Sequence, residues 1–507
     1  MLAKILGYTI IGLKGYPVEI EVDINMGLPS CEIVGLPDTA VKESKERVRS
    51  AIKNSLRKYP STKITINLAP AELKKEGSAL DLPIAVGLLC ASTQLDRKLF
   101  DGYIILGELA LNGEVRGVKG TLPLLISAKE MGYTKFIIPK ENEKEASYIH
   151  GIDVYAVSSL TEVIEYGEGS APLYKVELAN YVEESKVNTT ADLKYVKGQA
   201  SAKRALEIAV AGNHNILMVG PPGTGKTMLA RCVPSIMPDM TFDEALEVTK
   251  IHSVAGALDS DKGIINCRPF RTPHHTSTTI SITGGGATLK PGEVSMAHNG
   301  VLFLDEMPEY TRHTLESLRQ PLEDKEITIS RSTGSVKYPA NFMLVGSMNP
   351  CPCGNYGSKV LQCTCSEQAR RKYISKISGP LFDRIDLHIE VDNIEYKDLS
   401  SKEEGESSAE VKKRINFVRA IQKERFLRDG ILTNSQMSEK HLRKYCKLTE
   451  DTERVLENAF NKLNLSPRAR SRILKVARTI ADLDGEEIIL KKHILEAIGY
   501  RSLDRKL

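Results

Sequence analysis

The stretch NILMVGPPGTGKTMLARCV, Asn215–Val233, decides how the rest of the chain is read. NILMV, Asn215 to Val219, reads as a short apolar strand, and a helix is expected to begin at MLARCV. Between them lie Gly220, Pro221, Pro222, Gly223, Thr224, Gly225, Lys226 and Thr227, which match G-x-x-x-x-G-K-[ST] in the strand–loop–helix context that the motif requires. The glycines let backbone N–H groups converge on phosphate oxygens at a helix N-terminus. Lys226 is placed to reach β- and γ-phosphates, and Thr227 to hold Mg²⁺. At ordinary glycine usage such a match arises by chance in roughly 2% of chains this long. A Gly-rich structural turn is therefore the weaker reading. The loop reads as a nucleotide site with ATP and Mg²⁺ as cofactors.

About 80 residues further on, GVLFLDEMPE ends an apolar strand in Asp305 and Glu306. Alone this pattern fits a capped strand equally well. After a phosphate loop it reads as a carboxylate that holds Mg²⁺ through water, Asp305, beside a carboxylate that polarises the attacking water, Glu306. A Glu in that place favours hydrolysis over kinase chemistry. NFMLVGSMN is a further core strand ending at Asn349, read either as a strand cap or as part of the chemistry.

The totals exclude little. The 507 residues allow two to four domains. Apolar content of 41% and charged content of 26% are those of a soluble globular protein. A formal charge of +4 is nearly balanced, so any nucleic-acid contact must come from a local basic surface. No secretory signal is visible, and apolar runs such as Leu82–Ala91 reach about half of a membrane span. The expected setting is cytoplasmic, without membrane contact.

Around the phosphate loop the fold class is multidomain α/β. Residues 1–170 mix strands (YTIIGL, VEIEVDI, KITINLAP) with helical stretches such as TAVKESKERVRSAIKNSL, which indicates an α+β domain. A Gly-, Ser- and charge-rich linker follows at 171–193. Short apolar strands alternate with helices over 194–395, predicting a parallel sheet flanked by helices. Residues 396–507 are charged and helical, predicting a helical lid.

Four of the nine cysteines, Cys351, Cys353, Cys363 and Cys365, form C-x-C-x₉-C-x-C directly after Asn349. Such a set suits tetrahedral thiolate binding of Zn²⁺ in a closed structural site. Free thiols or a redox switch are the alternatives, because the single-residue gaps are tighter than usual zinc spacing.

These motifs, with VKGQASAKRALEIAVAGNHN, RPFRTPHHTSTT, LRQPLEDKEITISR, MNPCPCG and SGPLFDRIDLHIEV, together resemble the magnesium-chelatase-like YifB/ComM family of AAA+ ATPases. The likeness runs over essentially the whole chain, in family order. It implies a homo-hexameric ATPase, and for ComM-type members a DNA branch-migration helicase of natural transformation. It places Gln199 at the adenine side and Asn349 on the attacking water. Arg384 resembles an arginine finger reaching a neighbouring subunit's γ-phosphate; a surface pair with Asp383 is the alternative. One of Arg468, Arg470 and Arg472, most simply Arg468, would be the second sensor. Related minichromosome-maintenance helicases carry a basic pore hairpin at the place of EITISRSTGSVKYP, Glu326–Pro339, which puts Arg331 and Lys337 on DNA. An ordinary surface hairpin is the other reading. The segment Asp243–His298 would supply inserted loops, with Arg271, and with His274 and His275 in a structural or DNA-facing role rather than as zinc ligands.

The N-terminal domain resembles the proteolytic domain of Lon proteases through GELALNGEVRGVKGTLPLLISAKEMGYTKFIIPKEN. That likeness places Ser78 near the nucleophile position and Leu122 where the lysine base belongs, with Lys119 three residues earlier. No peptidase activity is expected, and a scaffold or DNA-docking role is. The sequence also leaves open a protein-remodelling or chelatase-type ATPase whose hairpin grips a polypeptide, and an ATP-gated assembly scaffold.

Overall fold

The computed structural model describes residues 2–182, 191–259, 261–286, 289–331, 334–357, 361–393, 405–463 and 466–501. The chain forms two compact units, Met1–Glu183 with Thr241–Asn266, and Glu184–Met240 with Cys267–Leu507.

The first unit is built on strands β1 (Leu2–Ile11), β2 (Lys14–Asn25), β3 (Ser30–Val34), β4 (Lys63–Ala69), β5 (Tyr103–Ile105), β8 (Lys135–Pro139), β9 (Asp153–Val157) and β10 (Tyr174–Lys175). They form one mixed sheet in the order β10-β9-β8-β5-β1-β2-β4-β3. The short strands β6 (Glu108–Leu109) and β7 (Val115–Arg116) pair separately. In β2, Val18, Ile20 and Val22 are fully buried while the intervening acids are not, the period-2 pattern of a half-buried strand. Helix Thr39–Asn54 starts where Asp38 accepts from Val41 N at 2.8 Å, and buries Val41, Val48, Ala51 and Ile52. The apolar run Leu82–Ala91 belongs to helix Asp81–Ala91, all of whose residues are buried, so it is core and not membrane span. No described helix is long and apolar enough to cross a membrane.

Helix Phe242–Ala255 also belongs to this unit. It begins with a Thr241/Glu244 capping box and ends at Gly256. Ser253 Oγ donates to the buried Glu145 at 2.9 Å, and Ser253 O accepts from Gly120 N at 3.2 Å. The first part of the expected inserted loops is thus a helix packed on the N-terminal sheet unit.

In the second unit, strands β11 (Ile216–Val219), β12 (Phe270–Arg271), β15 (Val301–Leu304), β18 (Met343–Met348) and β19 (Leu387–Glu390) form a parallel sheet in the order β12-β15-β18-β11-β19. Strands β11, β15 and β18 are buried throughout, which is why they read as unbroken apolar runs. Strands β13 (Gly284–Gly285) and β14 (Lys290–Pro291) pair, as do β16 (Glu326–Arg331) and β17 (Gly334–Pro339).

The C-terminal part is helical: Ser408–Arg425, Glu439–Tyr445, Glu450–Leu463, Pro467–Leu483 and Lys491–Gly499. Ile473, Ala477 and Ile480 of this layer share one apolar cluster with Ile216, Phe303 and Val345 of the sheet. Arg472 Nε lies 3.4 Å from Asp386 Oδ1, a polar tie between helix and sheet edge inside that apolar contact.

Candidate functional site

The phosphate loop leaves β11 at Gly220. A Cβ there would lie 2.2 Å from Val391 O, so only glycine lets the loop pass the end of β19. Gly225, at φ +85°, turns the chain into helix Lys226–Ile236. Thr224 Oγ1 donates to Pro221 O at 3.0 Å and braces the turn. Lys226 is 8% exposed, and its Nζ donates to Gly220 O and Pro221 O at 2.7 Å each. It also reaches Asn349 Oδ1 at 3.4 Å. Burial lowers the Lys226 pKa from its ordinary value, opposed by the carboxylates of Asp305 and Glu306. The loop therefore holds a partly desolvated cation on two of its own carbonyls, beside the Asn349 amide and within the field of Asp305 and Glu306.

Asp305 stands at the end of β15. Thr227 Oγ1 donates to its Oδ2 at 2.9 Å, and Ser347 Oγ makes a close hydrogen bond to its Oδ1. Glu306 N donates to Asp305 Oδ1 at 3.1 Å and to Ser347 Oγ at 3.2 Å. Thr227 and Asp305 present a hydroxyl and a carboxylate side by side, the oxygen ligands a Mg²⁺ ion takes while keeping waters and nucleotide oxygens. Glu306 sits at φ +49° with its side chain 56% exposed. His275 Nδ1 lies 3.9 Å from Glu306 Oε2, and the His274 and His275 ring centres are 4.1 Å apart, the rings tilted by 33°. Ser347 and His275 are missing from the sequence reading of this chemistry. Ser347 could have been found two residues before Asn349 on the same strand; His275 carries no spacing signal.

The arginines gather elsewhere. Arg384 makes a close ion pair with Glu323 and donates to Pro380 O at 2.7 Å, so its partner is not Asp383. Arg468 is exposed and acts electrostatically on the same Glu323. Arg472 is bound to Asp383 and Asp386, at 3.9 and 3.4 Å, leaving Arg468 and Arg470 as the freer pair at the start of that helix. Gln199, at φ +57°, donates from Nε2 to Asp392 O at 2.6 Å. Arg271 forms a bidentate pair with Glu293 at 2.6 and 2.8 Å, a structural engagement.

The strands β16 and β17 pair from Glu326↔Pro339 to Arg331↔Gly334; Ser332 and Thr333 of the tip lie outside the described residues. Arg331 is exposed, and Lys337 pairs with Glu326 at 2.7 Å. Tyr338 is 1% exposed and donates to Leu289 O at 2.9 Å.

All nine cysteines are free thiols. The sulfurs of Cys351, Cys353, Cys363 and Cys365 lie within 4.8 Å of one another. Cys351–Cys353, Cys351–Cys363 and Cys353–Cys363 are 3.4, 3.7 and 3.7 Å apart. Zn–S bonds of about 2.3 Å in a tetrahedron put sulfurs about 3.8 Å apart, so this set matches a thiolate zinc site. It is far from the about 2.05 Å of a disulfide. Backbone N–H groups of Asn355 and Thr364 pull the Cys353 thiol down, while burial pushes the Cys351 thiol up to about 12.

In the first unit, Ser78 Oγ donates in a close hydrogen bond to Glu108. Leu122 is 1% exposed in the core, and Lys119 is exposed, lying against the Gly256 turn. The buried Lys75 commits its Nζ to Gly35 O, at 3.0 Å, and Pro70 O.

Comparison with known proteins decides the family. Residues 192–399 match the family described as magnesium chelatase, subunit ChlI; residues 20–142 match subunit ChlI of Mg-chelatase, and 405–501 its C-terminal family. Competence protein ComM of Haemophilus influenzae is 44% identical over 514 residues, spanning 100% of this chain and 98% of the relative. The chain belongs to the magnesium-chelatase-like YifB/ComM family. Protein YifB of Escherichia coli is 45% identical over 499 residues, 98% of this chain and 96% of the relative. Magnesium-chelatase subunit ChlI of Porphyra purpurea is 27% identical over 178 residues, 31% of this chain and 50% of the relative. The YifB/ComM family is one of AAA+ ATPases, and the parallel sheet with its phosphate loop at the end of β11 is the corresponding fold.

Proposed function

We propose that this chain is an ATP-hydrolysing, ring-forming AAA+ motor that acts on DNA, a branch-migration helicase or translocase of recombination or natural transformation. The observation that carries the ATPase half is the convergence of Lys226, Thr227, Asp305 and Asn349 on one loop. Residues 220–227 cradle the phosphates of ATP, Lys226 neutralises them, and Thr227 and Asp305 hold Mg²⁺. Mg²⁺, when bound, supplies Lewis-acid charge to the phosphates. Glu306 orients and polarises the attacking water, Asn349 positions it, and Gln199 lies on the adenine side. Arg384 acts on a neighbouring subunit's nucleotide and Arg468 acts as the second sensor, which requires a ring of subunits, six in a hexamer. The four cysteines hold a structural Zn²⁺.

The DNA half rests on the hairpin β16–β17. Its exposed Arg331, with Lys337 on the returning strand, would form a basic collar when repeated around a ring, gripping phosphates despite a nearly neutral chain. ComM is named as a competence protein, a process that brings in DNA. The second reading, a protein-remodelling or chelatase-type motor, calls for an aromatic gripping residue. Tyr338 is buried and bonded at the hairpin base, which speaks against it. The test is ATP hydrolysis measured with single-stranded, duplex, forked and four-way DNA. Stimulation by branched DNA is expected, and Arg331→Ala reduces it; no response to any nucleic acid rejects a DNA motor.

A further inference from the structure

The cysteine cluster and the phosphate loop touch. Cys351 is two residues past Asn349, at the end of β18, and is fully buried. From it the chain makes a tight turn in which Gly354 N donates to Cys351 O at 2.9 Å. Gly354 adopts φ +82°, and a Cβ built on it would lie 2.6 Å from Pro222 Cδ and 3.2 Å from Pro222 Cγ. Pro222 is in the phosphate loop, two residues from Gly220. The turn of the cysteine knuckle is thus packed against the outer side of the loop, with no room for a side chain.

The knuckle is tied at its other end as well. Tyr356 N donates to Cys351 Sγ at 3.3 Å, and Arg370 reaches Cys365 O at 2.9 Å while its guanidinium lies 4.4 Å from the Tyr356 ring centre. On the same helix, Glu367–Ile374, Tyr373 is buried and interacts with the Asn349 backbone. Asn349 in turn lies 3.4 Å from Lys226 Nζ. Between Cys351 and Cys365 the described chain has turns and no helix or strand. The four sulfurs, all within 4.8 Å of one another, therefore tie its two ends together, at a spacing that fits four ligands around one cation.

We propose that a thiophilic divalent cation, Zn²⁺, at Cys351, Cys353, Cys363 and Cys365 is a positioning device for the nucleotide site. With the metal bound, the Gly354 turn props Pro222 and holds the phosphate loop in its binding shape, and the root of the knuckle keeps Asn349 beside Lys226. Metal occupancy then sets the affinity for ATP. This rests on the ATPase reading above and adds to it a dependence on a second metal that never touches the nucleotide.

The test uses the full chain purified without a histidine tag. Metal analysis is expected to give about one zinc per chain, and cobalt exchanged into the site is expected to show thiolate-to-cobalt absorption. Gly354→Ala keeps the metal but pushes on Pro222; KM for ATP and the Kd of a fluorescent ATP analogue are expected to rise about tenfold, with kcat within about twofold. Cys363→Ser is expected to lose the metal and show the same rise in KM, and Cys363→His to restore both. A wild-type chain carrying only trace transition metal overturns the proposal. So does an unchanged KM in both Gly354→Ala and metal-free Cys363→Ser. A wild-type chain that binds no nucleotide at all overturns the ATPase reading and the clamp with it, whereas normal binding in every variant removes the clamp alone.

Discussion

Thr227 Oγ1 and Asp305 Oδ2 are 2.9 Å apart, so the hydroxyl after the phosphate-loop lysine and the carboxylate ending β15 share one hydrogen bond. Ser347 completes the arrangement by donating to the other carboxylate oxygen. Two hydroxyls thereby fix the carboxylate plane before any metal arrives, which is how outer partners orient a ligand.

Removing that support gives the first prediction. Ser347→Ala leaves Thr227 and Asp305, the residues proposed to hold Mg²⁺, in place but frees the Asp305 carboxylate to rotate. The Mg²⁺ concentration for half-maximal hydrolysis is expected to rise about tenfold or more. Asp305→Asn is expected to lower kcat by at least about a hundredfold. Mg²⁺ titrations of steady-state hydrolysis read both; a Ser347→Ala curve superimposed on wild type would contradict the assigned support.

A second prediction concerns stability. Burial alone would raise the Asp386 carboxyl; His214, whose Nδ1 lies 3.5 Å from it, then the charges of Arg472 and Lys475, outweigh that and hold the group well below the usual aspartate range. A carboxyl depressed in the folded state contributes stability above its unfolded pKa of about 3.9 and loses it as pH falls through the folded value. Asp386→Asn leaves Arg472 without its nearest counter-ion. It is expected to cost about 3 kcal/mol at pH 7. Denaturant midpoints measured from pH 7 downward should show the gap to wild type narrowing only below about pH 4. A gap that is constant, or that widens in acid, would contradict the pairing.

The third prediction concerns the first unit. Ser78 donates to the Glu108 carboxylate and not to an amine, and Leu122, at the position the Lon likeness gives to the base, is an apolar residue buried in the core. A serine with no base strong enough to take its proton stays a poor nucleophile. A fluorophosphonate probe is expected to leave Ser78 unlabelled under conditions that label an active serine hydrolase. Stoichiometric labelling of Ser78 would restore a peptidase reading for this unit.

Much of this was legible in the sequence, and the reasons are physical. The strands of the second unit are short apolar runs because their sheet is buried on both faces, so β11, β15 and β18 announce themselves. The phosphate loop is equally plain, because its backbone geometry admits few residues besides glycine. The helix Phe242–Ala255 escaped assignment to the N-terminal unit because its partners, Glu145 and Gly120, are more than a hundred positions away in sequence. Ser347 escaped because a serine inside a buried strand reads as a tolerated polar residue until its partner is seen. The Arg384–Glu323 pairing, 61 positions apart, is invisible to local pattern, which offered Asp383 instead. The cysteine spacing suggested a metal, but only the contact of Gly354 with Pro222 connects it to the nucleotide loop.

The measurement that bears most directly on a DNA motor is ATP-dependent dissociation of a labelled four-way DNA junction, with wild type beside Glu306→Gln. Wild type is expected to convert the junction into duplex products only when ATP and Mg²⁺ are present. Glu306→Gln is expected to bind ATP and junction yet leave the junction intact, with turnover reduced by at least about a hundredfold. A wild-type chain that hydrolyses ATP at the same rate with and without the junction, and leaves it whole, would contradict a motor acting on DNA.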